Sequence, residues 1–330
     1  MDDLKEEKTV REEVIDDLMN KKIRLSYSAL KNFTSPINLV NYYVKKRTQQ
    51  KVQTPAMLEG IASDVYLLEP HNYESKIEVI DKVPTTAIQV GFTQDLLLSI
   101  KDQEISDELI QKAYSNHYSK GTPDKIYESL KPYINATSLG KTIIDSATDK
   151  RVKELTDALN MQMDVSLLMS RISSVQKRLE WQDEGWDFIA YLDMELEEED
   201  ICDVKRTKDA EPDFFERDIR YNKYYFQGGM YCYAYYLLYG KLPNYTLLAY
   251  DTTSNYDIFK LDYGYIQYGI TEYRYKLEQL NKAIKTNSFW KSYGFFKPDR
   301  QVYKPKWVQG FELEKPMKKL YKNTYQEPKN

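Results

Sequence analysis

The stretch "EEDICDVKRTKDAEPDFF", residues 198–215, decides how this chain is read. Its segment "DICDVKRT" has the length and apolar content of a short buried strand. Side chains alternate along a strand, so Asp203 and Lys205 share one face and Cys202 and Val204 the other. A buried carboxylate or ammonium without a partner is costly. The pair is therefore either a structural ion pair or the centre of a reaction. A lone Asp-x-Lys is common and by itself favours the ion pair, so its neighbours must decide.

Just upstream, "WDFIAYLDMELEEED" (186–200) alternates with period two. Trp186, Phe188, Ala190, Leu192, Met194 and Leu196 fall on one face. Asp187, Ile189, Tyr191, Asp193 and Glu195 fall on the other. The two strands are close enough in sequence to form a hairpin. Downstream, "DAEPDFFERDIRYNKYYFQGGMYCYAYYLLYGK" (209–241) reads as one long helix ending near Gly240, with Lys223, Gln227 and Tyr231 at intervals of four on one side. "YTLLAYDTT" and "YDIFKLDYG" return to strand character, and a helix is expected over 266–287. The tail from Phe295 is rich in Pro and Lys and reads as extended.

The first half of the chain is helical in pattern. Residues 1–22 form a charged amphipathic helix or arm, with Val10, Val14, Ile15, Leu18 and Met19 as its stripe. Ser26 or Ser28 can cap a short helix. Ser35-Pro36 and Thr54-Pro55 each place an N-cap before a proline at the first helical position. The helix opened by Thr54 should end near Pro70, with a stripe of Met57, Ile61 and Leu68 flanked by Leu58 and Val65. Asp64 sits at the edge of that stripe and calls for a cap, a cation or a metal. Residues 75–180 read as a mostly helical insertion or subdomain without a chemical motif. The order of elements favours an α/β fold, a central mixed β-sheet flanked by helices.

Composition narrows the chemistry. The 330 residues carry a net charge of −4, which gives no support for a globally basic nucleic-acid binder but leaves room for a local basic groove. Two cysteines suggest no disulfide framework and a reducing cytoplasm, and cannot make a four-cysteine zinc or iron–sulfur site. Two histidines make a Ser-His-Asp triad or a multi-histidine metal site a poor fit. No signal core or membrane span is visible in the sequence. Chemistry here would run on carboxylates and lysine. Asp64, Asp193 and Asp203 offer only oxygen, which suits Mg²⁺ or Mn²⁺. Such an ion activates water and stabilises charge on a phosphoryl oxygen, with Lys205 placed to assist.

The order helix-Asp, strand-Asp, strand-Asp-x-Lys, then Gln-x-x-x-Tyr helix resembles the PD-(D/E)XK nuclease superfamily, in the branch of phage recombination exonucleases similar to exonuclease VIII and of RecB-like nuclease domains. "SYSALKNFTSP", "GIASDVYLLEP", "AYLDME", "DICDVKRTKDAEPDFF", "YNKYYFQGGMY" and the late "NSFWKSYGF" carry the resemblance. It implies a restriction-endonuclease-like core over 23–330, and none of its motifs falls in the helical stretch 75–180. Asp193 and Asp203 would be metal ligands and catalytic residues, joined by the Val204 carbonyl. Asp64 would stand where the family often has His. Lys205 would be the catalytic lysine. Gln227 and Tyr231 would position the nucleic acid or support the site. Arg206, Lys208, Arg217, Arg220 and Lys223 would meet phosphates, with Arg24, Lys31, Lys45, Lys46 and Arg47 as weaker candidates.

The resemblance further implies a Mg²⁺- or Mn²⁺-dependent exonuclease on double-stranded DNA ends, serving recombination or DNA processing. A single-strand annealing protein is the implied partner, and a homo-oligomer is admitted. The expected location is the cytoplasm, that of the host for a phage-encoded chain. Two other readings stay open: a nuclease fold kept as a DNA-end binding or protein-interaction module, and an RNA-directed or structure-specific endonuclease.

Overall fold

The computed structural model describes residues 8–49, 53–100 and 105–296. Four helices come first: α1 (Val10–Met19), α2 (Tyr27–Asn32), α3 (Pro36–Thr48) and α4 (Pro55–Leu68). Their starts follow the sequence closely. Thr9 closes a capping box with Glu12, and Ser26, Ser35 and Thr54 accept backbone N–H groups at the next three N-termini. Val14 and Leu18 of α1 are buried in the main core with Leu39, Val40 and Tyr43 of α3, so α1 is an integral helix rather than an arm. The stripe expected on α4 is rotated. Met57 is exposed, and Ala62, Leu67 and Leu68 are the buried face.

The inserted layer runs through α5 (Tyr73–Lys76), β1 (Ile77–Val79), α6 (Ala87–Ile100), α7 (Asp107–His117), α8 (Pro123–Ser138), β2 (Thr142–Ile144), α9 (Ser146–Asn160) and α10 (Met163–Ser170). It is mostly helical, as expected, but β1 and β2 pair in parallel. Helices α6, α7 and α8 bury their own cluster around Phe92, Tyr114, Leu130 and Ile134. The expected boundary at 180 is corrected, because β3 (Ile172–Asp183) already belongs to the main sheet. Only Leu179 and Trp181 of β3 are fully buried, and exposure alternates along the strand from Val175 to Gln182.

The main sheet continues with β4 (Trp186–Leu196), β5 (Ile201–Arg206), β6 (Tyr245–Tyr250) and β7 (Tyr256–Leu261), in the spatial order β3-β4-β5-β6-β7. Only the β5–β6 pair is parallel, and the helices between them make the crossover. The sheet is therefore mixed, and the fold is α/β. The crossover was expected to be one helix and is two: α11 (Pro212–Tyr221) and α12 (Tyr224–Tyr239). The break falls at Lys223, whose backbone is left-handed (φ 60°). The last long helix, α13 (Tyr263–Lys285), begins three residues before the expected Ile266. The expected extended tail lies almost wholly in 297–330, outside the described residues, as do the first seven residues of the expected N-terminal helix.

One feature of the sheet positions everything that follows. β4 and β5 pair only at Met194↔Cys202 and Glu195↔Ile201. Beyond that they part. The amino-terminal half of β4 instead exchanges backbone hydrogen bonds with Leu25, through Leu25 N–H to Asp187 O (2.8 Å) and Ile189 N–H to Leu25 O (2.9 Å). Phe188, Ala190 and Leu192 belong to the main core, whereas Met194 and Leu196 join a second cluster with Cys202, Val204 and Leu248. The strand changes sides at Asp193, opposite Gln176, which has a left-handed backbone (φ 49°).

Helices α12 and α13 cross with almost no side chain between them. A Cβ on Gly269 would lie 2.2 Å from the Tyr225 carbonyl oxygen, and one on Gly229 would lie 2.5 Å from the Gly269 backbone. Backbone cannot yield as a flexible side chain would. Gly269→Ala is expected to lower stability by at least about 2 kcal/mol in urea unfolding. Gly60→Ala on α4, where a Cβ meets nothing within 4 Å, should leave stability equal or slightly higher.

Candidate active site in the fork between two strands

Asp203 points into the main core face of β5 and is 2% exposed. Its Oδ1 accepts a hydrogen bond from Gln227 Nε2 at 2.9 Å. Its buried Oδ2 touches the Lys205 ammonium in an ion pair but receives no properly directed hydrogen bond. Asp203 and Lys205 thus share a face, as a two-residue spacing on a strand requires. The Lys205 ammonium also lies 5.0 Å from the ring centre of Tyr224, the first residue of α12. Burial works against its charge, but Asp203 and Asp193 outweigh that and hold the amine above its ordinary range.

Asp193 stands where the strands separate. Its Oδ2 accepts the Val204 N–H at 2.9 Å, and its Oδ1 lies 3.4 Å from Gln176 Nε2. A side chain thereby takes the place of the next rung of the β4–β5 ladder. Burial and then the Asp203 charge push the Asp193 carboxyl up to about 7, against the pull of Lys205 and the Val204 amide. Asp64 reaches the same neighbourhood from α4. Its surface opens to solvent, yet the protein around its carboxyl, with Asp203 adding to it, also pushes that group up to about 7; Lys205 and Arg206 oppose the shift. A cavity of about 330 Å³ opens beside it, lined by Asp64, Glu69, Lys76, Gln176 and Tyr191.

Asp64, Asp193 and Asp203 feel one another's charge, but no group of three or more His, Cys, Asp or Glu side chains among the described residues stands at metal-holding spacing. In kind, the residues fit a hard divalent cation. The donors are all oxygen, Asp203 Oδ2 has no directed hydrogen bond, and two neighbouring carboxyls resist ionising together without a further positive charge.

The remaining expected residues divide sharply. Gln227 is buried and supports Asp203, and Tyr231, 7% exposed, packs one turn further along α12. Both side chains are turned into the protein. Arg206 is engaged elsewhere: its guanidinium donates to Glu59 on α4 at 2.8 Å, and Glu59 also pairs with Arg151 of α9. The Lys223 ammonium pairs with Glu272 at 2.6 Å. Arg24 pairs with Glu180, and Arg47 with Asp17. Lys208, Arg217 and Arg220 are exposed beyond β5 and on α11.

Several residues about the site escaped sequence reading. Glu59 ties α4 to β5 across 147 positions, a distance at which no periodicity speaks. Glu195 is buried and receives bonds from Ser174, Lys177 and Tyr235, the last of these two turns beyond Gln227. Tyr27 packs its ring on Tyr231 and Phe226, with its hydroxyl donating to the Asn222 carbonyl at 3.1 Å. No local spacing signals this last contact, which joins positions 195 or more apart.

The raised carboxyl at 193 fixes a sign for the metal-free protein. Between about pH 4 and 7 the folded state holds a proton that the unfolded state has released. Its contribution therefore declines as pH rises through that window and is fully lost above it. Asp193→Asn keeps an acceptor for the Val204 amide and removes the charge. In EDTA it should match the parent near pH 4 and exceed it by about 1–2 kcal/mol at pH 8 in urea unfolding.

Comparison with known proteins agrees with this geometry over the carboxy-terminal part of the chain. Residues 171–294 match the family model described as "PDDEXK-like domain of unknown function (DUF3799)". Asp64 lies outside that segment. No curated protein matches the chain. A crystal structure described as "Putative exonuclease" from Eubacterium rectale aligns with 86% of this chain and 88% of its own at 14% identity, with a TM-score of 0.48. Among the described residues, no helix is long and apolar enough to cross a membrane. The segment 171–294, which contains the forked strands, the Asp-x-Lys pair and the Gln-x-x-x-Tyr helix, is a PDDEXK-like domain of the PD-(D/E)XK nuclease superfamily.

Proposed function

We propose that this protein is a Mg²⁺- or Mn²⁺-dependent deoxyribonuclease that hydrolyses phosphodiester bonds from the ends of linear double-stranded DNA. The carrying observation is the Asp203–Lys205 pair. A buried carboxylate is held against the ammonium of a partly buried lysine, at a split in the sheet of a PDDEXK-like domain. Asp203, Asp193, the Val204 carbonyl and Asp64 would hold the ion, which supplies positive charge for a phosphoryl oxygen and acidifies water. Lys205 brings a second positive charge to the anion that develops on the phosphate. Gln227 fixes the Asp203 carboxylate by taking up its other oxygen. The Asp193 carboxylate and the Val204 amide hold each other in place.

The family resemblance supports the finer parts of this reading: action at duplex ends, a role in phage-type recombination or DNA processing in the cytoplasm, a single-strand annealing partner and a homo-oligomer. A second reading, a DNA-end binding or protein-interaction module without cleavage, draws on Asp64 in place of the family's histidine and on the open spacing of the three carboxylates.

End-labelled linear duplex DNA incubated with and without Mg²⁺ separates the two. The parent should degrade the linear duplex only with the metal, and should spare closed circles and RNA. Lys205→Ala should keep its circular-dichroism spectrum and lose about a thousandfold or more in rate. Asp203→Ala should abolish the calorimetric signal of Mn²⁺ binding. Full cleavage by Lys205→Ala would remove the lysine from the mechanism, and duplex binding without metal or cleavage would establish the module.

A further inference from the structure

Cations near the fork are mostly committed to carboxylates. Lys205 is paired with Asp203, Lys223 with Glu272 and Arg206 with Glu59. Lys31, on α2, is different. Among the described residues it has no carboxylate within ion-pair distance, although it is only partly exposed. Its ammonium lies 5.8 Å from the ring centre of Tyr27, one turn earlier on the same face of α2.

The backbone fixes where that ammonium sits. Leu25 is bonded to β4 at Asp187 and Ile189, on the stretch that β5 has left unpaired. Two residues on, the Tyr27 ring packs edge-on against Tyr231 at 6.4 Å and tilts against Phe226 at 5.5 Å. Its hydroxyl donates to the carbonyls of Asn222 and Lys223, at the break between α11 and α12. Helix α2 is thus bolted to the same helix that presents Gln227 to Asp203. Burial, followed by the charges of Lys205 and Lys223, makes the Lys31 ammonium less favourable than in free solution. An uncommitted cation held beside like charges is an anion site awaiting its anion.

We propose that Lys31 binds a phosphate of the DNA strand next to the one addressed by Lys205, with Tyr27 as the platform that holds its side chain. The inference rests on the nuclease reading and names a residue that positions the substrate. The separation of roles follows from the pairing pattern. Lys205 is shared with a carboxylate at the reacting centre, whereas Lys31 can give its whole charge to the backbone. Phosphates follow one another at about 3.4 Å of axial rise along each strand of a duplex, so a second cation close enough to feel the Lys205 charge can meet a neighbour of the scissile group.

The test uses the full chain and a fluorescein-labelled, blunt-ended DNA duplex in Ca²⁺ without Mg²⁺, read by anisotropy across a salt series. Lys31→Met should raise Kd about tenfold at low salt and reduce the slope of log Kd against log salt by about one. Lys31→Arg should stay within about twofold of the parent, since it restores a phosphate donor. Calorimetric Mn²⁺ affinity and thermal midpoint should be unchanged in both. Lys112→Met, on α7 of the inserted layer, controls for loss of any single charge. Parent-like binding by Lys31→Met, or an equal weakening by Lys112→Met, would overturn the assignment and leave the nuclease reading standing. A parent that binds no duplex at all would overturn both.

Discussion

Three carboxyls and one ammonium compete for the space where β4 leaves β5, and the fold is arranged around that competition. Asp203 is enclosed, Asp193 is partly exposed, and Lys205 supplies a positive charge that acts on both. The surrounding residues do not neutralise the excess. They orient it: Gln227 takes one oxygen of Asp203, the Val204 amide takes one of Asp193, and Asp203 Oδ2 is left facing the ammonium without a directed bond. A chain selected for stability alone would fill such a place with apolar side chains, since buried ion pairs rarely repay their desolvation. Keeping it charged points to the chemistry of the site.

The scaffold holds this cluster from several directions. Glu59 joins α4 to β5 and α9 through Arg206 and Arg151, so the helix bearing Asp64 is tied to the strand bearing Lys205. The Gly229–Gly269 crossing brings α13 hard against α12 and fixes the helix that carries Gln227 and Tyr231. Leu25 occupies the edge of β4 that β5 gives up, which closes the fork at one end and satisfies backbone groups that would otherwise stay unpaired.

Much of this was legible in the sequence because it rests on short-range rules. Period two placed Asp203 with Lys205 and set Trp186 through Leu192 on one face, but it put Met194 and Leu196 there too, and they lie on the other; Ser-Pro and Thr-Pro marked two helix starts. What escaped has physical reasons. β3 lies at the edge of the sheet, and Lys177 stands between Val175 and Leu179 on its inner face, which interrupts the apolar period that would mark a strand. Helix α12 is buried on several sides, from Tyr225 to Tyr235, so its apolar residues run all around it and give no stripe from which its start could be read. The break between them carries neither Gly nor Pro and depends on Lys223 adopting a left-handed backbone. The change of side at Asp193 falls opposite the left-handed backbone of Gln176 on a different strand, which no pattern within β4 announces. Ion-pair partners such as Glu59 and Glu272 are tertiary facts, so exposed-looking arginines and lysines could not be sorted into free and committed.

The substituted rung at the fork has one more consequence. Because a carboxylate, and not a carbonyl, receives the Val204 N–H, that amide senses the charge state of Asp193 directly. Its nitrogen and proton resonances become a built-in indicator: a single backbone signal, on the strand between Asp203 and Lys205, that shifts when the neighbouring carboxyl gains or loses a proton or turns toward another cation.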